Sequence, residues 1–221
     1  MDHVVNGVAK FQREVFPAKA DSFRELANGQ NPEVLFITCA DSRIDPNLIT
    51  QTQPGELFIC RNAGNVVPPH SNFTGGITAS IEYAVAALGI EHIIVCGHTD
   101  CGAMKGALNP SSLEKLPHVK EWLGHCRAAV EVCQEQHGEL GHEHLNCVTK
   151  ENVALQIQHL KTHPSVAAGL SSGRIKLHGW IYNIETGEVL EYNQDTRQLE
   201  PVKPVEIESN HGAAEVTNAS A

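Results

Sequence analysis

Three short apolar runs constrain this chain more than anything else in it: Val34–Thr38, Glu56–Cys60 and His92–Cys96. Each is rich in β-branched, aromatic or leucine residues and is bounded by glycine or proline, which reads as a strand buried on both faces. Between the second and third runs, Ile77, Ile81, Val85 and Leu88 fall at i, i+4, i+8 and i+11, one face of a helix. Strand, helix, strand in that order implies parallel pairing through a right-handed crossover. The expected fold class is therefore α/β, with a central, mostly parallel β-sheet of four to five strands flanked by helices.

The remaining segments attach to that sheet. Val4, Val8, Phe11 and Val15 form an amphipathic stripe in an N-terminal helical arm, residues 1–27, which Pro17 is expected to interrupt. An apolar face on such an arm must be covered, by its own domain or by a partner subunit. Asn28–Pro32 reads as a turn. From about His118 to Leu160 the pattern is helical; Arg174–Asn183 and Glu188–Tyr192 read as a strand and its hairpin return around Glu185–Gly187. One domain over residues 1–200 is expected, with 201–221 as a mobile C-terminal tail, because proline and small residues replace any periodicity there.

Sixteen basic against 26 acidic residues give a formal charge of −10, which argues against a nucleic-acid partner. No apolar run is long enough to span a membrane, and no export signal opens the chain, so a soluble, cytoplasmic protein is expected. Asn72 and Asn218 match the glycosylation pattern, which without an export signal is read as chance. Seven cysteines, an odd number without a framework spacing, fit a reducing cytosol. Cys60, Cys96, Cys126, Cys133 and Cys147 are accordingly read as buried, inert thiols.

The chemistry concentrates at two strand ends. Cys39-Ala40-Asp41-Ser42-Arg43 follows the first run, and His98-Thr99-Asp100-Cys101 follows the third. Open parallel sheets place ligand sites at the carboxyl ends of their strands. If those strands are neighbours, Cys39 meets His98 and Cys101, a three-donor set that leaves a fourth position for water, as catalytic zinc sites do. In extended backbone Cys39, Asp41 and Arg43 share a face. Arg43 can grip Asp41 and keep it ionised and off the metal, or release it as a fourth ligand. A buried thiol, a core histidine and a helix-starting thiol without metal stay open as the plain alternative. Asp100 is read as a helix cap and His178 as a satisfied core histidine. His137, His142, His144 and Cys147 form a second cluster, where loop histidines without a metal are the favoured reading.

These motifs resemble those of β-class carbonic anhydrases over roughly residues 1–200. The resemblance also includes Pro54-Gly-Glu-Leu-Phe58, Arg61-Asn-Ala-Gly-Asn65, Ile81-Glu-Tyr83, Gly97–Gly102 and Leu177-His-Gly-Trp-Ile-Tyr182. It implies one Zn²⁺ per subunit on Cys39, His98 and Cys101, with Asp41 as the switchable ligand, and Asp41 with Arg43 as the catalytic pair. It further implies that Gln30 and the Gly102 N–H bind substrate, and that Phe58 and Tyr83 line an apolar pocket at a dimer interface. The implied reaction is attack of zinc-activated hydroxide on carbon dioxide to give bicarbonate, in a homodimer or higher homo-oligomer. Ala40 stands where the family usually has Ser, and Phe36 where bicarbonate-regulated members have Trp. With Gln30, a mark of the open, plant-like subtype, this implies an open site at neutral pH and weak bicarbonate inhibition. Two rivals remain: a carbonyl sulfide or carbon disulfide hydrolase on the same fold, and a non-catalytic zinc-stabilised scaffold protein.

Overall fold

The computed structural model describes residues 1–71 and 74–204, so Asn72, Asn218 and most of the expected tail lie outside the described residues. A six-stranded sheet of order β2-β1-β3-β4-β5-β6 organises the chain. Strands β1 (Val34–Cys39), β2 (Leu57–Asn62), β3 (His92–His98) and β4 (Lys176–Tyr182) are parallel, and β5 (Val189–Tyr192) and β6 (Leu199–Pro201) add antiparallel hairpins. The expected four to five strands are present, and β6 is the addition. It pairs Leu199 with Tyr192 and Pro201 with Leu190, at the point where the expected tail begins.

The arm comprises α1 (Asp2–Lys10), a π-helical turn (Phe11–Val15), α2 (Phe16–Ala18) and α3 (Ala20–Leu26). Pro17 does not end the helix as expected. It occupies the first turn of α2, where its missing N–H has no partner to lose. The rings of Phe11, Phe16 and Phe23 cluster at centroid distances of 5.3–6.1 Å. Val4, Val5, Val8, Phe11, Val15 and Phe16 nevertheless remain exposed, while Lys19 donates to Gln53 at 2.7 Å and Leu26 lies against Gly55.

After β1, Asp45 caps the short α4 (Pro46–Thr50) by accepting from the Leu48 N–H at 3.3 Å. Helix α5 (Gly76–Glu82), continued by a π-helical turn to Ala87, crosses from β2 to β3 and buries the predicted Ile81 and Val85. Then follow α6 (Gly102–Leu108), α7 (Pro117–Trp122), α8 (Arg127–His137), α9 (Leu145–Leu160) and α10 (Pro164–Ser171). The helical pattern expected from about His118 to Leu160 is carried by α7, α8 and α9, and Gly138 at φ +79° closes α8.

Helix α9 packs on β3 and β4 through Val153, Ile157 and Leu160. Two glycines make that approach possible. A Cβ at Gly179 would lie 2.7 Å from Ile157 Cδ1, and one at Gly97 would lie 2.9 Å from Val153 Cγ2. A second apolar cluster, with Met104, Leu123, Cys126, Leu145 and Val148, closes around Cys39 and Cys101 at the carboxyl ends of β1 and β3.

Cys133 and Cys147 correct the reading of inert thiols: α8 and α9 run side by side and the two residues form a disulfide, with Cα atoms 6.3 Å apart. The carboxylate of Glu151 is also buried, at 4% exposure, and accepts from Arg197 Nη2 at 2.7 Å, tying α9 to the turn before β6.

His159 and His163 are expected to make the fold acid-sensitive. Burial pushes both imidazoles below their ordinary range, against opposing hydrogen bonds to the Val67 and Pro68 carbonyls at 2.7 and 3.0 Å. The folded state therefore prefers them neutral, while the unfolded chain takes up protons near pH 6.5. Their contribution to stability is fully present above that pH and is lost as pH falls towards the lower folded values. Urea unfolding from pH 8 to 5.5 is expected to show a falling midpoint, and His159→Gln/His163→Gln should flatten that fall. Parallel profiles for wild type and variant would refute the assignment.

Candidate metal centre and active site

Because β1 and β3 are parallel neighbours, with Thr38 opposite Cys96, their carboxyl ends deliver both motifs to one place. Strand β1 ends on Cys39, β3 ends on His98, and the turn Thr99–Cys101 leads into α6. The donor atoms of Cys39, His98 and Cys101 all lie within 4.8 Å of one another, and all three residues are buried. The two sulfurs are 4.0 Å apart. Cys39 Sγ accepts from the Gly64 N–H at 3.4 Å, so the loop after β2 also orients the site.

The imidazole of His98 carries the clearest sign of a ligand. Its Nδ1–H donates to the Thr99 carbonyl at 2.9 Å, which fixes the tautomer with a bare lone pair on Nε2. That Nε2 is buried and has no hydrogen-bond partner, although His98 is only 1% exposed. Burying an unpaired acceptor is costly, so the geometry suits a group that accepts its lone pair. The sulfurs agree. The hydrogen bond with Cys101 draws the Cys39 thiol down, and Cys101, facing that sulfur and buried, is pushed up. Only a cation lets both ionise together. Two thiolates and an imidazole are a zinc-type donor set, and the residues present fit a zinc ion.

Asp41 stands outside the three-donor group, held by Arg43. Its Oδ1 accepts from Arg43 Nε at 2.9 Å and from the Arg43 backbone N–H at 3.0 Å, and its Oδ2 accepts from Nη2 at 2.8 Å. This grip holds the Asp41 carboxyl well below the usual carboxylate range. Oδ2 is still only 3.8 Å from His98 Nε2, within reach of the donor cluster. Arg43 extends the network, because its Nη1 donates to Asp100 Oδ2 at 3.1 Å. Asp100, at φ +58°, also pairs with Lys105 and makes no cap to α6. It is a bridging acid and not the expected cap.

Arg61 is a contributor that the spacing of the motifs did not single out for this place. Its Nε donates to the Cys39 carbonyl at 3.0 Å and its Nη2 to the Asp41 carbonyl at 2.7 Å, strapping the backbone that carries a ligand and the acid. The signal was available: Arg61 lies in β2, opposite Thr38 and one position before the partner of Cys39.

A family model for carbonic anhydrase matches residues 34–189, a span that contains both motifs and strands β1 to β4. A solved β-carbonic anhydrase, CcaA, superposes with a TM-score of 0.88 at 45% identity, covering 91% of this chain and 99% of that one. The chain belongs to the β-carbonic anhydrase family. A carbonic anhydrase of Pseudomonas aeruginosa is 46% identical over 195 residues, 86% of each chain. One of two tetrameric β-carbonic anhydrases of Sordaria macrospora superposes with a TM-score of 0.70 at 31% identity, covering 86% of this chain and 92% of that one. Membership makes this chain a carbonic anhydrase, a lyase.

Within this β-carbonic anhydrase protomer the other expected site residues divide. Gly102 begins α6 directly after Cys101, with open space where a Cβ would stand. Phe58 and Tyr83 stack with centroids 6.0 Å apart, but elsewhere. Phe58 pairs with Leu35, four residues before Cys39, which places it about 13 Å back along the strand direction. Tyr83 is 49% exposed, and Gln30 is exposed before β1. Among the described residues, no hydrogen bond, ion pair or ring contact joins these three to the donor cluster. Among the described residues the His-rich segment forms no second donor cluster, and Cys147 is committed to its disulfide. His178 is satisfied as expected, between His92 at 3.2 Å and Glu191 at 3.0 Å.

Proposed function

We propose that this carbonic anhydrase interconverts carbon dioxide and bicarbonate with one zinc ion on Cys39, His98 and Cys101. The observation that carries this reading is the buried, unpartnered His98 Nε2 beside two sulfurs, with a restrained carboxylate 3.8 Å away. Zinc in such a set would supply the Lewis-acid charge that brings loss of a proton from water into the neutral range. The protein's own residues supply the rest. Asp41 accepts a hydrogen bond from the attacking water and turns its lone pair towards the carbon. Arg43 keeps Asp41 ionised and off the metal, which supports the open form. The Gly102 N–H donates to the oxygen on which negative charge develops.

A second copy completes the site in this reading. The exposed apolar side of the arm, and the separation of Gln30, Phe58 and Tyr83 from the donors, support a homodimer or higher homo-oligomer in which those residues face a partner's cluster. Sedimentation that finds only monomer at working concentrations would contradict this. Weak bicarbonate inhibition follows too: Phe36 is fully buried edge-on to Trp180, and Arg61 is committed to backbone carbonyls. A strong fall in rate with added bicarbonate, corrected for the reverse reaction, would oppose it. The five free cysteines, two of them the proposed ligands, suit a reducing compartment such as the cytoplasm, whereas the Cys133–Cys147 disulfide is a feature that does not.

Stopped-flow hydration of carbon dioxide, on protein of measured zinc content, tests the function. The rate is expected to scale with zinc and to exceed turnover of carbonyl sulfide or carbon disulfide by the same preparation. Faster turnover of the sulfur compounds would reassign the substrate. Full metal loading with no turnover would instead favour a scaffold, a role for which the Asp41–Arg43 pair has no use.

A further inference from the structure

Hydration of carbon dioxide leaves one proton behind in every turnover, and that proton must reach buffer before the next cycle. None of the groups assigned so far is built to carry it. Asp41 is held by three hydrogen bonds from Arg43, and Asp100 is shared between Arg43 and Lys105. Guanidinium does not release a proton in proteins. Carboxylates as a class give theirs up about three units below neutrality, whereas imidazole is the class that gains and loses one there.

Beside the Arg43–Asp100 pair lies a cavity of about 580 Å³, with His142 on its wall. The charged groups facing that space are Arg43, Asp100, Glu143 and Glu185. His142 also lines a second cavity of about 590 Å³, which runs along Gly102 and Lys105 at the start of α6. One imidazole thus borders both spaces that flank the second motif, and each is large enough for several waters. Its neighbours are engaged: His144 Nδ1 accepts from the Gly141 N–H at 3.0 Å, and its ring lies 5.0 Å from that of His137. The His142 ring has no hydrogen bond, ion pair or ring contact among the described residues, and the residue is exposed on a single 3₁₀ turn, His142–His144. The ring is therefore uncommitted, at the wall between cavity and solvent.

We propose that His142 is the proton-transfer group of this enzyme, taking the proton released at the metal centre through cavity water and passing it to buffer. The proposal rests on the carbon dioxide hydration proposed above. Carbon dioxide and water give bicarbonate and a proton; the proton adds to a ring nitrogen lone pair of His142, and the imidazolium N–H then yields it to a buffer base. No electrons are exchanged.

Stopped-flow hydration by zinc-loaded, full-length protein tests the assignment, with His142→Ala, His142→Gln and the control His137→Gln. In buffer of about 1 mM, kcat of both His142 variants is expected to fall about five- to tenfold while kcat/KM and zinc content stay unchanged. More buffer, or added 1,2-dimethylimidazole, should restore kcat, and the control should match wild type. A kcat within about twofold of wild type at low buffer would overturn the proposal, as would a joint fall of kcat and kcat/KM that no imidazole base rescues. Absence of hydration by the wild type would instead mark failure of the functional reading itself.

Discussion

A Cys101→Ala chain is expected to lose its zinc and its catalysis together. Removal of one of three donors leaves one sulfur and one nitrogen, too few to hold a dication against water, and the three donors were brought to within 4.8 Å of one another by the fold alone. Metal content should fall from near one ion per chain to below about a tenth, and hydration by on the order of 10³-fold or more. Cys126→Ala is the matching control. Cys126 is buried in the same apolar cluster, and burial pushes its thiol up to about 12, but it is no member of the donor group. That variant should keep its zinc and its rate, losing only some stability to the smaller side chain. Equal zinc loss in both variants, read by elemental analysis, would show that packing rather than coordination governs metal retention.

The second large effect is kinetic. Asp41→Asn should retain zinc yet slow kcat by about 10²-fold or more, a size typical for removal of a positioned proton acceptor. Asparagine keeps the shape, but its amide N–H₂ would face Arg43 Nη2, donor against donor, where Oδ2 now accepts at 2.8 Å. Arg43→Gln should fail for a different reason. It frees Asp41, whose Oδ2 already lies 3.8 Å from His98 Nε2, to turn onto the metal and close the site. The double variant should therefore be little worse than either single one, because both disable the same device. Wild-type turnover in Asp41→Asn, or additive losses in the double variant, would refute the paired role.

The part of this site legible in the sequence is the part that strand geometry dictates. Apolar runs identified β1 to β5 in outline, and the rule that ligands gather at the carboxyl ends of parallel strands brings Cys39 to His98 and Cys101 provided that β1 and β3 are neighbours, which they are. Short-range periodicity has no hold on the rest. Strand β6 is three residues long and ends in Pro201, so it resembled the start of a tail. Nothing in the 14-residue spacing of Cys133 and Cys147 fixes their pairing; the side-by-side course of α8 and α9 does. Asp100 carried the spelling of a cap, but its left-handed backbone turned the carboxylate towards Arg43 and Lys105. Arg61 acts across a strand pair, and its role appears only when the register of β1 and β2 is known. The separation of Phe58 and Tyr83 from the donors is likewise a property of where β2 begins, which composition does not encode.

X-ray absorption at the zinc edge of freshly purified, chelator-free protein at neutral pH tests the central claim most directly. The account predicts two sulfur and two nitrogen or oxygen neighbours, about 2.3 and 2.0–2.1 Å away, and the same shell in Asp41→Asn because Asp41 is held off the metal. Four sulfur neighbours, an all-oxygen shell, or a shell that loses a light-atom neighbour in Asp41→Asn would contradict it.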